Sequence, residues 1–128
     1  MMARKLITTG SPFEAKAGYS RAVLDGDTCF VSGTTGYDYE AMELPEDITA
    51  QTRNILKTIE WALGEAGMEL ADVVKVQVVV TDRQYVPAVM EILGEVFADI
   101  RPANYLFIAD LVQPAMKVEI DATAKKRS

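Results

Sequence analysis

The chain has 128 residues, 49% of them hydrophobic and 25% charged, which is long enough for one domain with a core of its own and too short for two. It carries 19 Asp and Glu against 13 Lys and Arg, a formal net charge of −6, so nucleic acid is not the expected main partner, because phosphate binding relies on clustered basic side chains. It contains no histidine, which excludes Ser-His-Asp and Cys-His catalysis, the two-histidine nuclease mechanism and most zinc sites.

No apolar run approaches the roughly 20 residues of a membrane span, and the opening MMARKLITTG lacks a long apolar leader. The expectation is a cytoplasmic protein with no membrane partner. Lys5 to Thr8 reads as a short edge strand, broken by Thr9-Gly10-Ser11-Pro12. Gly18-Tyr19-Ser20 leads into a strand from Arg21 to Leu24, Asp25-Gly26-Asp27 is the tight turn of a hairpin, and Thr28 to Ser32 is the return strand, closed by Gly33. The single cysteine, Cys29, lies in that apolar run and reads as a small buried hydrophobe rather than a nucleophile. Thr34 to Pro45 has turn residues and no sustained period, which predicts a loop.

Ile48, Ile55, Leu56, Ile59, Leu63 and Ala66 recur at helical spacing, with Glu46 and Asp47 at the positive end of the dipole and Gly67 placed as the residue after the C-cap. Val73 to Thr81 is β-branched on both faces, with Val74, Val76, Val78 and Val80 on one, and predicts a central strand. A second helix carries Val86, Val89, Met90, Leu93 and Phe97 on one stripe, and Pro87 must fall in its first turn. Arg101 to Thr123 then reads as two strands of an apolar hairpin. Asn104 to Ala109 suits burial on both faces, whereas from Met116 onward Met116, Val118, Ile120 and Ala122 alternate with Lys117, Glu119, Asp121 and Thr123. Pro114 marks the connection, and Lys125-Lys126-Arg127 is a solvated end.

Strand, hairpin, helix, strand, helix, strand, strand is the order of an α+β fold in which two helices cover one face of a mixed sheet. The other face carries apolar side chains that two helices cannot also cover, so burial against sister subunits in a closed homo-oligomer is expected.

Six stretches stand in the order seen in the Rid (YjgF, reactive intermediate deaminase) family, also called the L-PSP endoribonuclease family. They are Tyr19-Ser20 before a hairpin, Phe30-Val31-Ser32-Gly33, Gln51-Thr52-Arg53, Val73-Val74-Lys75 followed by Thr81-Asp82, Arg101-Pro102-Ala103, and Val118-Glu119-Ile120-Asp121-Ala122. The sequence resembles that family over nearly its whole length, as a single RidA-like domain spanning 1–128. The resemblance implies a chorismate-mutase-like α+β fold with about six strands, and a homotrimer whose sheets form an inner barrel with three clefts between subunits. It also implies hydrolysis of enamines and imines such as 2-aminoacrylate to a keto acid and ammonia, with no cofactor and no metal. Some relatives have been described as endoribonucleases or translation inhibitors.

Within that resemblance Glu119 is the group expected to orient the attacking water or shuttle its proton; by alternation alone it only continues the polar face of Lys117 and Asp121. Tyr19 either orients ligand or water, or packs at a subunit contact. Gly33 with Thr34 either presents backbone N–H groups to a ligand oxygen or ends a strand. Deaminating relatives continue Pro-Ala with an arginine that grips the substrate carboxylate, and that position here is Asn104. A neutral amide hydrogen bond is weaker than an ionic one by about 1 kcal/mol or more, so altered substrate recognition is expected. Arg21 or Arg101 either supplies the missing charge from nearby or forms a surface salt bridge. Leu106 makes the neighbouring cleft wall more apolar, and Gly18, in place of the proline common before the tyrosine, leaves Tyr19 less fixed. Three functions follow as alternatives: an imine or enamine hydrolase with altered recognition, a non-catalytic trimeric small-molecule binding protein, or an RNA-cleaving or translation-inhibiting protein.

Overall fold

The structure, a computed structural model, describes residues 4–127. The elements are β1 (Lys5–Ile7), α1 (Pro12–Ala17), β2 (Ala22–Asp25), β3 (Thr28–Thr35), α2 (Ile48–Glu65), β4 (Val73–Val80), α3 (Val86–Val96), β5 (Ala103–Ile108) and β6 (Val118–Lys125). Six strands form one sheet in the order β1-β2-β3-β6-β4-β5. Only β4 and β5 run parallel; every other neighbouring pair is antiparallel. The architecture is therefore α+β, a mixed six-stranded sheet with the long helices on one face.

That face is dictated by alternation. Val118, Ile120, Ala122 and Ala124 of β6, with Val76, Val78 and Val80 of β4, are buried beneath Ile55, Ile59, Ala62 and Leu63 of α2 and Val89, Ile92 and Leu93 of α3. Asp47 caps α2, accepting from the Ala50 N–H at 2.9 Å. Gly67, at φ 72°, ends the helix in a Schellman arrangement: its N–H reaches the Gly64 carbonyl at 3.0 Å and the Met68 N–H reaches that of Leu63 at 2.8 Å. Pro87 lies in the first turn of α3, where its missing N–H leaves no bond unmade. Cys29 is buried, and burial pushes its thiol pKa up. Among the described residues no helix is long and apolar enough to cross a membrane.

Several expectations are corrected. The Arg101–Thr123 stretch is not a hairpin, because β4 lies between its two strands. The connection through α3 is long enough to bring β5 back parallel to β4, and β6 then pairs antiparallel with β3 and β4. For the same reason β5 is an edge strand rather than one buried on both faces: Tyr105, Phe107 and Ile108 are 58%, 39% and 42% exposed in the protomer. In β4 the extra residue between Val73 and Lys75 turns Val74 outward while Val73 packs inside. In α3 the stripe turns toward Ile92, and Met90 is exposed. Finally, Gly33 does not close β3, which continues to Thr35 through a bulge between Val31 and Thr34.

The supposed break after β1 contains α1, where the Ser11 hydroxyl accepts from the Phe13 N–H at 3.1 Å and Pro12 opens the turn. Gly18 ends it at φ 72°, and its glycine freedom is spent there: the Gly18 and Tyr19 N–H groups both donate to the Glu14 carbonyl, at 2.9 and 3.0 Å. Tyr19 is thus tethered at its backbone, contrary to the looser placement expected.

Candidate functional site

Glu119 sits on the open face of β6, in the middle of the sheet, opposite Thr35 of β3 and Val79 of β4. Its carboxyl group rests over Gly33: a Cβ on that glycine would lie 3.0 Å from both Cδ and Oε1. Any side chain there would press the carboxylate back from the strand by a few tenths of an ångström. Burial raises the Glu119 pKa above its usual range, the positive charge of Arg21 draws it down, and Asp121 on the same face pushes it up again. Asp121 is also raised, chiefly by burial, against the backbone hydrogen bond from Gln77 and the charge of Lys75.

Behind Gly33 lies a buried cation. Arg21, just before β2, is fully buried rather than forming a surface salt bridge. Its Nη1 donates to the Gly33 carbonyl at 2.8 Å and to Thr34 Oγ1 at 3.1 Å, and Nη2 lies 3.5 Å from the Tyr19 hydroxyl. The guanidinium is flanked by the Tyr39 ring at 4.9 Å and the Tyr19 ring at 5.5 Å. Its Nε faces Glu14 Oε2 at 3.6 Å, and both side chains are almost wholly buried. Glu14 is held in turn by the Thr8 hydroxyl at 2.7 Å, the Thr9 N–H at 3.3 Å and the Thr9 hydroxyl. Burial opposes ionisation of Glu14, yet these hydrogen bonds and the Arg21 charge together hold its pKa below the ordinary value.

The structure therefore brings Glu119, Gly33, Thr34 and Tyr19 together around Arg21. Thr34 is buried, and its hydroxyl both accepts from Arg21 and donates to the Ser32 carbonyl at 2.8 Å. Tyr19 is 39% exposed. Asn104, Leu106 and Arg101 lie elsewhere. The register places Asn104 beside Val76 and Leu106 beside Val78, on the helix-covered side, whereas Glu119 lies beside Val79 on the open side. With Arg101 they line a separate hollow of about 470 Å³ against Met90, Leu93 and Phe97. Within one protomer Asn104 and Glu119 do not share a cleft. Arg101 itself is exposed and has φ 53°, with its N–H on the Phe97 carbonyl at 2.9 Å.

Two parts of this centre escaped the sequence reading, the Arg21–Glu14 pair and Tyr39. The available signal was Ser11-Pro12 followed by Glu14, a helix start with an acid in its first turn. Among the described residues no group of three or more His, Cys, Asp or Glu side chains is placed to hold a metal ion.

Comparison with known proteins agrees over almost the full length. The sequence profile of the family described as Endoribonuclease L-PSP matches residues 9–126. A RutC family protein of Pyrococcus abyssi is 32% identical over 126 residues, covering 98% of this chain and 99% of that one. A crystal structure of a YjgF/YER057c/UK114 family member from Mycobacterium tuberculosis superposes with a TM-score of 0.89 at 42% identity, covering 97% of this chain and all (100%) of that one. RidA from the Antarctic bacterium Psychrobacter gives 0.85 at 30% identity, covering 94% and 98%.

Proposed function

This chain belongs to the Endoribonuclease L-PSP family, the group that includes the YjgF and RidA proteins, and on that premise we propose that it is a cofactor-free hydrolase of reactive enamines and imines. The reaction is addition of water to C=N with release of ammonia, in clefts formed between copies of the chain. The observation that carries this reading is the Glu119 carboxylate, partly desolvated and seated on Gly33 in the open sheet face.

The chemistry follows from what such a carboxylate does. An enamine first takes a proton from solvent at carbon to become the iminium ion, the protonated imine. Glu119 then accepts a proton from water as its oxygen bonds to the imine carbon, giving a carbinolamine. Protonated Glu119 returns that proton to nitrogen; the C–N bond then breaks as the hydroxyl oxygen becomes the carbonyl and its proton passes back to Glu119 and on to solvent, and ammonia and a carbonyl compound leave. Burial that raises the pKa makes the carboxylate a stronger proton acceptor than an exposed one. Tyr19 is positioned to orient the water or substrate, and the backbone at Gly33 and Thr34 borders the same space.

Asn104 lies apart from Glu119 within one protomer, so its part in this reading is across a cleft between copies, where it would set the substrate class. A neutral amide where deaminating relatives place an arginine favours a substrate whose recognised group is uncharged or differently placed. It equally favours a second reading, a binding protein that has kept the clefts and lost the reaction. The histidine-free, acidic sequence speaks against RNA cleavage. The deciding experiment adds purified protein to freshly generated 2-aminoacrylate and to imines lacking a carboxylate, and follows ammonia. Faster release from the uncharged imines is expected, and no acceleration for any substrate would leave only the binding protein. Asn104→Arg should raise the rate on 2-aminoacrylate; an unchanged rate in a folded variant would acquit the amide.

A further inference from the structure

The Arg21–Glu14 pair is the least expected feature of the interior. A buried ion pair is at best a modest source of stability compared with apolar packing, so one that touches three site residues calls for another account. The bulge in β3 supplies it. Between Val31 and Thr34 the strand carries one residue more than β6 opposite, which takes Ser32 and Gly33 out of the regular ladder. Their polar groups are met from the segment leading into β2 instead: the Ser32 N–H donates to the Arg21 carbonyl at 2.9 Å, the Ser32 hydroxyl to the Ser20 carbonyl at 2.6 Å, and Arg21 Nη1 to the Gly33 carbonyl at 2.8 Å. The guanidinium is aimed at that carbonyl because Glu14 holds its Nε side and two tyrosine rings flank it. The Nε itself has no hydrogen-bond partner, so its orientation depends on the Glu14 charge.

We propose that the Arg21–Glu14 pair is the positioning device of this site, with Arg21 holding the Gly33–Thr34 bulge under the Glu119 carboxylate and presenting to it a positive charge that Glu14 partly offsets. The inference rests on the reading of Glu119 as the working carboxylate, and its test does not depend on turnover. Other charges around Glu119 are accounted for. Asp121, on its own strand, adds a negative charge; Lys75, on β4, acts on Asp121. Lys117 sends its ammonium to the Glu46 carbonyl and the Tyr85 ring. Opposite on β3 and β4 stand Thr35 and Val79, which carry no charge.

The experiment follows the Glu119 side-chain carboxyl by carbon-detected NMR through a pH titration, in the wild type and in Arg21→Gln, Arg21→Lys and Glu14→Gln. Arg21→Gln removes the cation and should move the midpoint up. Glu14→Gln removes the anion behind the cation and should move it down. Arg21→Lys keeps the charge and should leave the midpoint nearer that of the wild type than Arg21→Gln does. A pair that serves only packing would shift nothing, or would shift both glutamine variants the same way through loosened structure, and either result overturns the proposal. Should Arg21→Gln fail to fold, the downward shift in Glu14→Gln decides alone. If ammonia release is absent while the opposite shifts are seen, the hydrolase reading falls and the positioning device stands.

Discussion

Glu119 is destabilised at the position proposed for the working carboxylate. Its folded pKa is raised, so the protein binds that proton more tightly folded than unfolded. The resulting stability is fully present below the unfolded value and is lost as pH rises through the folded one. At neutral pH the ionised side chain is therefore a burden on the fold. Glu119→Gln should raise Tm at neutral pH and abolish that loss, while lowering ammonia release by about 10²-fold or more. Thermal melts across pH and an ammonia assay on the same preparation check both halves; a lower Tm with unchanged turnover would remove Glu119 from its role. Its place on the open face was legible in the sequence because period-two alternation fixes which side a strand residue faces; the chemistry proposed for it comes from the family resemblance. Arg21 was not legible. Its burial depends on Glu14 arriving from α1 and Tyr39 from a loop, and neither contact leaves a periodic trace.

Among the elements, the sheet and α2 are fitted most closely where Gly36 meets the helix. A Cβ there would stand 2.5 Å from the Gln51 backbone Cα, a distance no side-chain rotation relieves. Gln51 is also the staple of this corner: its amide nitrogen donates to the Pro45 and Ala115 carbonyls at 2.8 and 2.9 Å, and its oxygen accepts the Lys117 N–H at 3.0 Å. Gly36→Ala should destabilise by about 1–3 kcal/mol, measured by urea unfolding. Gly64→Ala in α2, where a Cβ meets nothing within 4 Å, should instead stabilise by about 0.5–1 kcal/mol. Equal losses at both positions would overturn both assignments, the gain in helix propensity at Gly64 and the close approach at Gly36. The long helices, the β2–β3 hairpin and β4 were legible from periods and turn residues. The neighbour of each strand was not, since alternation reports faces and says nothing of partners, and so the last two strands were paired with each other. A helix as short as α1 has too few turns to show a period at all.

At the scale of the molecule, the helix-covered face is closed and the other is not. Phe30, Tyr105 and Phe107 are 51%, 58% and 39% exposed, and the Tyr105 and Phe107 rings lie 5.2 Å apart on one side of an edge strand. The reading that copies of the chain assemble over this face predicts a sedimenting species of three times the chain mass, and Tyr105→Asp, which sets a charge in that contact, should return it to the protomer. A wild-type protein sedimenting as the protomer would end that reading. The sheet order carries one more consequence, for synthesis. The strand between β3 and β4 is β6, the latest of the six in the chain. A ribosome would therefore extrude five strands as two unjoined pieces, β1-β2-β3 and β4-β5, before the piece that welds them emerges. A fragment ending at Ala115 should show little ordered structure by circular dichroism and regain it when a synthetic 116–128 peptide is supplied, so that the sheet is completed only once β6 has emerged.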